Sequence, residues 1–164
     1  MEPGLAFYQE KMDMKASKSI IQKITASNGG VFTGPGTNSY LIGTEDITLV
    51  DPGPKIDAHL SNLLKLGNNK IKRILVTHTH PDHSPGAKVL GDKLNVPLMG
   101  RLVAKDDSRQ DRTFKPDQTL NHGDTIKTSE YTIEVIHTPG HASNHLCYLV
   151  PEEETMLTGD HIMN

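Results

Sequence analysis

The sequence predicts a mixed α/β layer architecture, and three observations lead to it. Short stretches rich in Ile, Val, Leu and Tyr alternate with Gly- and Pro-containing turns, the pattern of strands. Two other segments carry start or stop signals of helices, one with apolar residues at helical spacing. Loops bearing His and Asp follow several of the apolar stretches, so polar chemistry collects where strands end.

In chain order, segments 20–26, 39–42 and 47–50 read as successive strands joined by Gly- and Pro-rich turns. Segment 55–66 places Ile56, Leu60, Leu63 and Leu64 at helical spacing and ends at Gly67, which the pattern makes the C-cap. The apolar run 71–76 reads as a buried strand. Ser84 then suits an N-cap and Pro85 the first turn of a second helix that runs through Leu94. Segment 131–136 alternates as a strand does. In segment 146–150 Cys147 reads as a buried strand thiol, and a lone cysteine permits no intrachain disulfide. Stretch 104–119 has mixed charge and no period; it reads as a solvated loop, or as a substrate-contacting lid carrying Arg109, Arg112 and Lys115. Residues 1–18 read as a flexible N-terminal segment, which leaves 19–164 as a single domain.

Composition narrows the functional classes. At 164 residues one core is feasible. A hydrophobic content of 35% and a mean hydropathy of −0.45 leave no membrane-spanning stretch. The first twenty residues hold no apolar run of signal-peptide type, so a cytoplasmic location is expected. A formal charge of −3 without a basic run gives no electrostatic footprint for a polyanion.

The most informative segment is Thr77-His78-Thr79-His80-Pro81-Asp82-His83, which puts three imidazoles and a carboxylate within six residues, directly after the strand 71–76. Side chains alternate along an extended chain, so His78 and His80 can face one ion while Asp82 and His83, past the Pro81 turn, serve a second. His141 follows strand 131–136 in a Pro-Gly turn, and Asp160 follows a short apolar stretch in Leu157-Thr158-Gly159-Asp160. Imidazole and carboxylate donors suit Zn²⁺, with Mn²⁺ or Fe²⁺ also accepted by such a set.

These residues resemble the metallo-β-lactamase-fold hydrolases, which carry H-x-H-x-D-H after one strand, a Pro-Gly-His turn and a later Gly-Asp pair in this order. Leu49-Val50-Asp51-Pro52-Gly53 matches the same family's Asp-x-Gly signature. The stretches Pro35-Gly36-Thr37-Asn38-Ser39-Tyr40 and Thr138-Pro139-Gly140-His141-Ala142-Ser143-Asn144-His145 look most like the branch that contains beta-lactamase-like protein 2, a single-stranded-RNA endonuclease. The resemblance runs from about Ile20 to the last residue.

The resemblance implies an αβ/βα sandwich of two similar halves. It makes His78, His80 and His141 ligands of a first zinc, Asp82 and His83 ligands of a second, and Asp160 the bridge between them. Asp51 would fix the ligand loop from behind, a plain turn former before Pro-Gly being the simpler reading. His145 would be a neighbour of the site outside the ligand set; His161 a bystander; His137, His122 and His59 structural or exposed. A hydroxide generated on the metals would be the nucleophile, with Asp82 orienting it and relaying a proton. In the family a further His from the second half completes the second site, and this chain has none in that place, so the resemblance implies the N-terminal half to two-thirds of a domain incomplete at its C-terminus. Such a piece is expected to show little or no activity and to self-associate, or bind a partner, through exposed sheet. The expected substrate is a single-stranded RNA phosphodiester. A glyoxalase-II-like thioesterase acting on a small-molecule ester or thioester is the enzymatic alternative, although Thr79 stands where that family commonly has a third consecutive His. A non-catalytic metal-binding fragment is the other alternative.

Overall fold

The computed structural model describes residues 19–103 and 109–162. The expected N-terminal segment 1–18 and part of the 104–119 stretch lie outside them. Among the described residues, ten strands and two α-helices follow in the order β1 (Ile21–Thr25), β2 (Asn38–Ile42), β3 (Ile47–Val50), α1 (Asp57–Gly67), β4 (Ile71–Leu75), α2 (Pro85–Leu94), β5 (Leu98–Gly100), β6 (Gln118–Thr119), β7 (Thr125–Lys127), β8 (Thr132–His137), β9 (Leu146–Val150) and β10 (Thr155–Leu157). Strands β1 to β6 form one sheet in sequence order, antiparallel across β1–β2–β3 and parallel from β3 to β6. A second, antiparallel sheet runs β10–β9–β8–β7.

The strand pleat sorts neighbouring apolar residues into two cores. Leu41, Leu49 and Ile74 face α1 and α2, where they meet Leu60, Leu63 and Leu90. Their successors Ile42, Val50 and Leu75 face the second sheet and pack on Ile133, Val135 and Tyr148. The order of layers is therefore helices, six-stranded sheet, four-stranded sheet. A sheet buried on both faces needs continuous apolar strands, and β3 is buried at every position. Tyr148 is fully buried between the sheets and donates its hydroxyl to Val76 O at 2.7 Å. The outward face of the second sheet carries Met156, 44% exposed, beside the partly buried Leu149. No helix among the described residues is long and apolar enough to cross a membrane.

Both helix-end expectations change in detail. Gly67 is the last helical residue of α1, and Asn68 takes the left-handed cap conformation at φ 45°. Glycine is needed at 67 for another reason: a Cβ there would sit 2.5 Å from Ile71 Cδ1. Ser84 precedes α2 without capping it, because its hydroxyl donates to Asp111 Oδ2 at 2.7 Å. The described part of 104–119 is more anchored than a solvated loop: Phe114 is buried in the helix-side core, Gln110 is buried, and β6 pairs with β5. Lys115 lies near Asn95 and Val96, at the opposite end of α2 from Ser84, so it does not join a lid over the His motif.

A carboxylate clasp between the sheets gives a pH prediction. Glu130 accepts hydrogen bonds from the backbone N–H groups of Thr44, Glu45 and Asp46 at 2.8, 2.9 and 2.7 Å, and from the Thr44 hydroxyl. The Thr44 hydroxyl first, then the Asp46 amide, hold its carboxyl at about 2, below the ordinary 4.5. Because the folded value is depressed, the clasp contributes its stability above about pH 4.5 and loses it as pH falls toward about 2. Thermal melting of wild type and Glu130→Gln should therefore differ near neutrality and converge at the acid end of that window.

Candidate metal centre

The centre is assembled at strand ends by a buried carboxylate. Asp51, directly after β3, holds φ 47°, a left-handed conformation that Asp tolerates better than most residues. From there Oδ1 accepts Thr77 N–H at 2.7 Å, and Oδ2 accepts the Thr77 hydroxyl at 2.6 Å. Oδ2 also lies 2.9 Å from His83 Nδ1. Gly53 N–H donates to His83 O at 2.9 Å, so the turn after β3 grips both ends of the loop after β4. Asp51 thus does more than form a turn. It orients His83 so that Nε2 faces Asp82 and Asp160, the direction from which a cation would be held.

Around this scaffold the six expected residues come together. His78 Nε2 and His80 Nδ1 are 3.0 Å apart, and His80 Nδ1 and His141 Nε2 are 2.9 Å apart. His83 Nε2 lies 3.3 Å from Asp82 Oδ2 and 3.2 Å from Asp160 Oδ1. The other Asp160 oxygen lies 3.4 Å from His141 Nε2. Among the described residues two compact groups could hold an ion: His78, His80 and His141, and His78, His83 and Asp160, with donor atoms in each group within 4.8 Å of one another. The second group includes His78 where the resemblance implies Asp82; Asp82 adjoins it through His83, its Oδ2 accepting the Thr37 hydroxyl at 2.9 Å. A tetrahedral ion with bonds of about 2.0–2.1 Å to nitrogen has ligand–ligand edges of about 3.3–3.4 Å, close to these separations. The donor set therefore fits a zinc-type cation in both size and chemistry.

Electrostatics agree with that fit. Burial first, then the neighbouring His83, His145, His80 and His141, push His78 far below its ordinary value, so it stays a neutral imidazole with a lone pair to offer. Burial and His141 lower His80 in the same direction. His83 behaves oppositely: burial disfavours its charge, but the Asp51 charge and hydrogen bonds with Asp160, Asp51 and Asp82 outweigh burial and raise it well above the ordinary value. Three carboxylates thus favour a charged His83 ring, Asp51 at Nδ1 and Asp82 and Asp160 at Nε2, where a metal would take the place of the proton. Burial would raise Asp82, yet its hydrogen bond and charge interaction with His83, together with the Thr37 hydroxyl, hold it well below the usual carboxylate range. Asp160 is lowered likewise, with His83 outweighing burial.

The remaining histidines sort as follows. His145 is buried, with Nε2 accepting Asp160 N–H at 3.2 Å and Nδ1 2.9 Å from the Thr138 hydroxyl. Burial above all pulls it down to about 4, and it belongs to neither ligand group. It sets the backbone of Asp160. Gly159 makes room for it, since a Cβ there would stand 2.7 Å from His145 Nε2. His161 and His122 are exposed, His137 approaches Ser143 O at 3.1 Å, and His59 is buried 2.9 Å from the Ser39 hydroxyl. Thr37 has no role that spacing could mark, since it reaches Asp82 from 45 positions away.

Comparison with known proteins fits this geometry. The family model described as the Metallo-beta-lactamase superfamily matches residues 32–164. The chain belongs to this superfamily. Its members are generally hydrolases and typically bind metal ions, and this chain has a cluster of His and Asp residues that could hold one. Among curated relatives, the atrochrysone carboxyl ACP thioesterase dmxR1 of Cryptosporiopsis sp. (strain 8999) is 30% identical over 155 residues, covering 92% of this chain and 46% of the relative. The lactamase-like protein vrtG of Penicillium aethiopicum is 33% identical over 152 residues, covering 87% of this chain and 46% of the relative. The chain thus spans about half the length of the curated relatives it matches. The crystal structure of the BLEG-1 B3 metallo-beta-lactamase superposes with a TM-score of 0.68 at 24% identity, covering 88% of this chain and 73% of that one, which establishes the likeness of fold.

Proposed function

We propose that this superfamily member carries a dinuclear zinc centre that hydrolyses a thioester. His78, His80 and His141 would hold one ion, Asp82 and His83 the other, and Asp160 would bridge. The observation that carries the reading is the Asp160 carboxylate, whose two oxygens lie 3.2 Å from His83 and 3.4 Å from His141, between the two groups. Bound zinc would supply a Lewis acid and lower the pKa of a water from about 15.7 toward 7. The chain's own residues do the rest. Asp82, ionised at neutral pH and tethered by Thr37, orients the attacking water and passes its proton onward. As the carbon–oxygen bond forms and the carbon–sulfur bond breaks, that proton ends on the departing thiolate.

The substrate class rests on relatives such as dmxR1, a carboxyl ACP thioesterase. The RNA phosphodiester suggested by the branch resemblance has no such support, and the formal charge of −3 gives no polyanion footprint. Elemental analysis of the complete protein, purified without chelator, should find about two zinc ions per chain. One ion would restrict the reading to the histidine triad, and none would overturn it. Acyl thioesters should be cleaved in preference to single-stranded RNA; cleavage of RNA alone would reverse the substrate assignment.

A further inference from the structure

We propose that Thr79 and Asn144 form a hydroxyl–amide clamp that sets the spacing between the two chain segments bearing the histidine triad. The inference rests on the metal-centre reading above. Thr79 stands between His78 and His80, and the alternation that turns both imidazoles toward the site turns its side chain away, where it is 1% exposed. Its hydroxyl donates to Gln110 Oε1 and accepts from Asn144 Nδ2, the latter at 2.9 Å. A hydroxyl has a single proton, so the pair is directional: with that proton committed to Gln110, the oxygen lone pairs are left for Asn144.

Asn144 belongs to the turn between β8 and β9 that also carries His141. It is 1% exposed, and its amide nitrogen also donates to Arg101 O at 2.8 Å. A backbone bond from Leu146 N–H to Thr77 O, 2.8 Å, runs alongside. The triad's two segments are thus joined twice, at the base by Leu146 and Thr77 and further out by Asn144 and Thr79. One bond alone leaves a hinge; two fix an orientation, and the orientation fixed here is that of His141 toward His80. Asn144 Oδ1 is buried without a hydrogen-bond partner among the described residues. An apolar side chain of similar size would avoid that cost but would leave Arg101 O and the Thr79 hydroxyl without this donor. Thr79 and Asn144 touch neither ion nor substrate; they are positioning residues.

Cobalt(II) titration of the purified chain, followed by visible absorption, tests the clamp, with melting of the metal-free proteins measured in parallel. Thr79→Val and Asn144→Ala should weaken binding at the triad about tenfold or more, whereas Thr79→Ser, which keeps the hydroxyl, stays close to wild type. A packing role for Thr79 predicts the reverse order, with Val like wild type and Ser weakened, and that result would overturn the proposal. Should Thr79→Val fail to fold, Asn144→Ala probes the same bond from its other partner. A wild-type chain without a cobalt band defeats the metal-centre reading and the clamp together; a normal wild-type band with superimposable Thr79→Val and Asn144→Ala titrations defeats the clamp alone.

Discussion

Asp51→Ala should be the most destabilising single substitution at the centre. The change strands the Thr77 amide and hydroxyl and leaves His83 without its buried counter-ion. Breaking a buried, hydrogen-bonded charge pair costs about 3–5 kcal/mol. At about 2–4 °C per kcal/mol for a chain of this size, the melting temperature should fall by roughly 6–20 °C. Alanine also fits poorly at φ 47°. Asp51→Asn should lose less, because asparagine tolerates that backbone and still offers an oxygen to Thr77 N–H. In metal-free protein the effect also has a pH signature. His83 is raised above its ordinary 6.5, so the stability it contributes is present below about 6.5 and fades as pH rises through the higher folded value. The deficit of Asp51→Ala relative to wild type should therefore shrink on the alkaline side. An Asp51→Ala variant that melts with wild type would reduce Asp51 to a turn former.

Asp82→Asn should give the largest loss of turnover. Asparagine keeps the shape and can still meet the Thr37 hydroxyl, but it cannot take a proton, and a positioned proton acceptor contributes about 10²–10⁴-fold in rate. Single-turnover measurements on a thioester, with zinc content determined on the same samples, separate this loss from loss of metal. If turnover survives with zinc unchanged, the proton relay is wrong. If zinc falls in step with turnover, Asp82 acts chiefly as a ligand.

Much of this architecture can be read from the chain alone. Strands 47–50 and 146–150 coincide with β3 and β9 because each is a short, mostly apolar segment bounded by turn residues. His78, His80, Asp82, His83, His141 and Asp160 stand out because metal-ligand chemistry tolerates few residue types at fixed offsets. The caps were less legible. Asn68 and Gly67 both suit a helix end, and only the contact with Ile71 decides which position needs the glycine. Strands β6 and β7, of two and three residues, are too short to show a period. Thr37, Thr79 and Asn144 carry no local signal, since each acquires its partner from a distant segment only after the sheets have packed.

The placement of the ligand groups on different sheets has a consequence for the chain as a polymer. His80 follows a strand of the six-stranded sheet, and His141, 61 residues later, follows one of the four-stranded sheet. An ion gripped by both would act as a reversible cross-link, removing about 4 kcal/mol of denatured-chain entropy for a loop of that length. Chelation would then do to this fold what reduction does to a disulfide-bonded one, leaving the apolar layer between the sheets to hold them together without the cross-link.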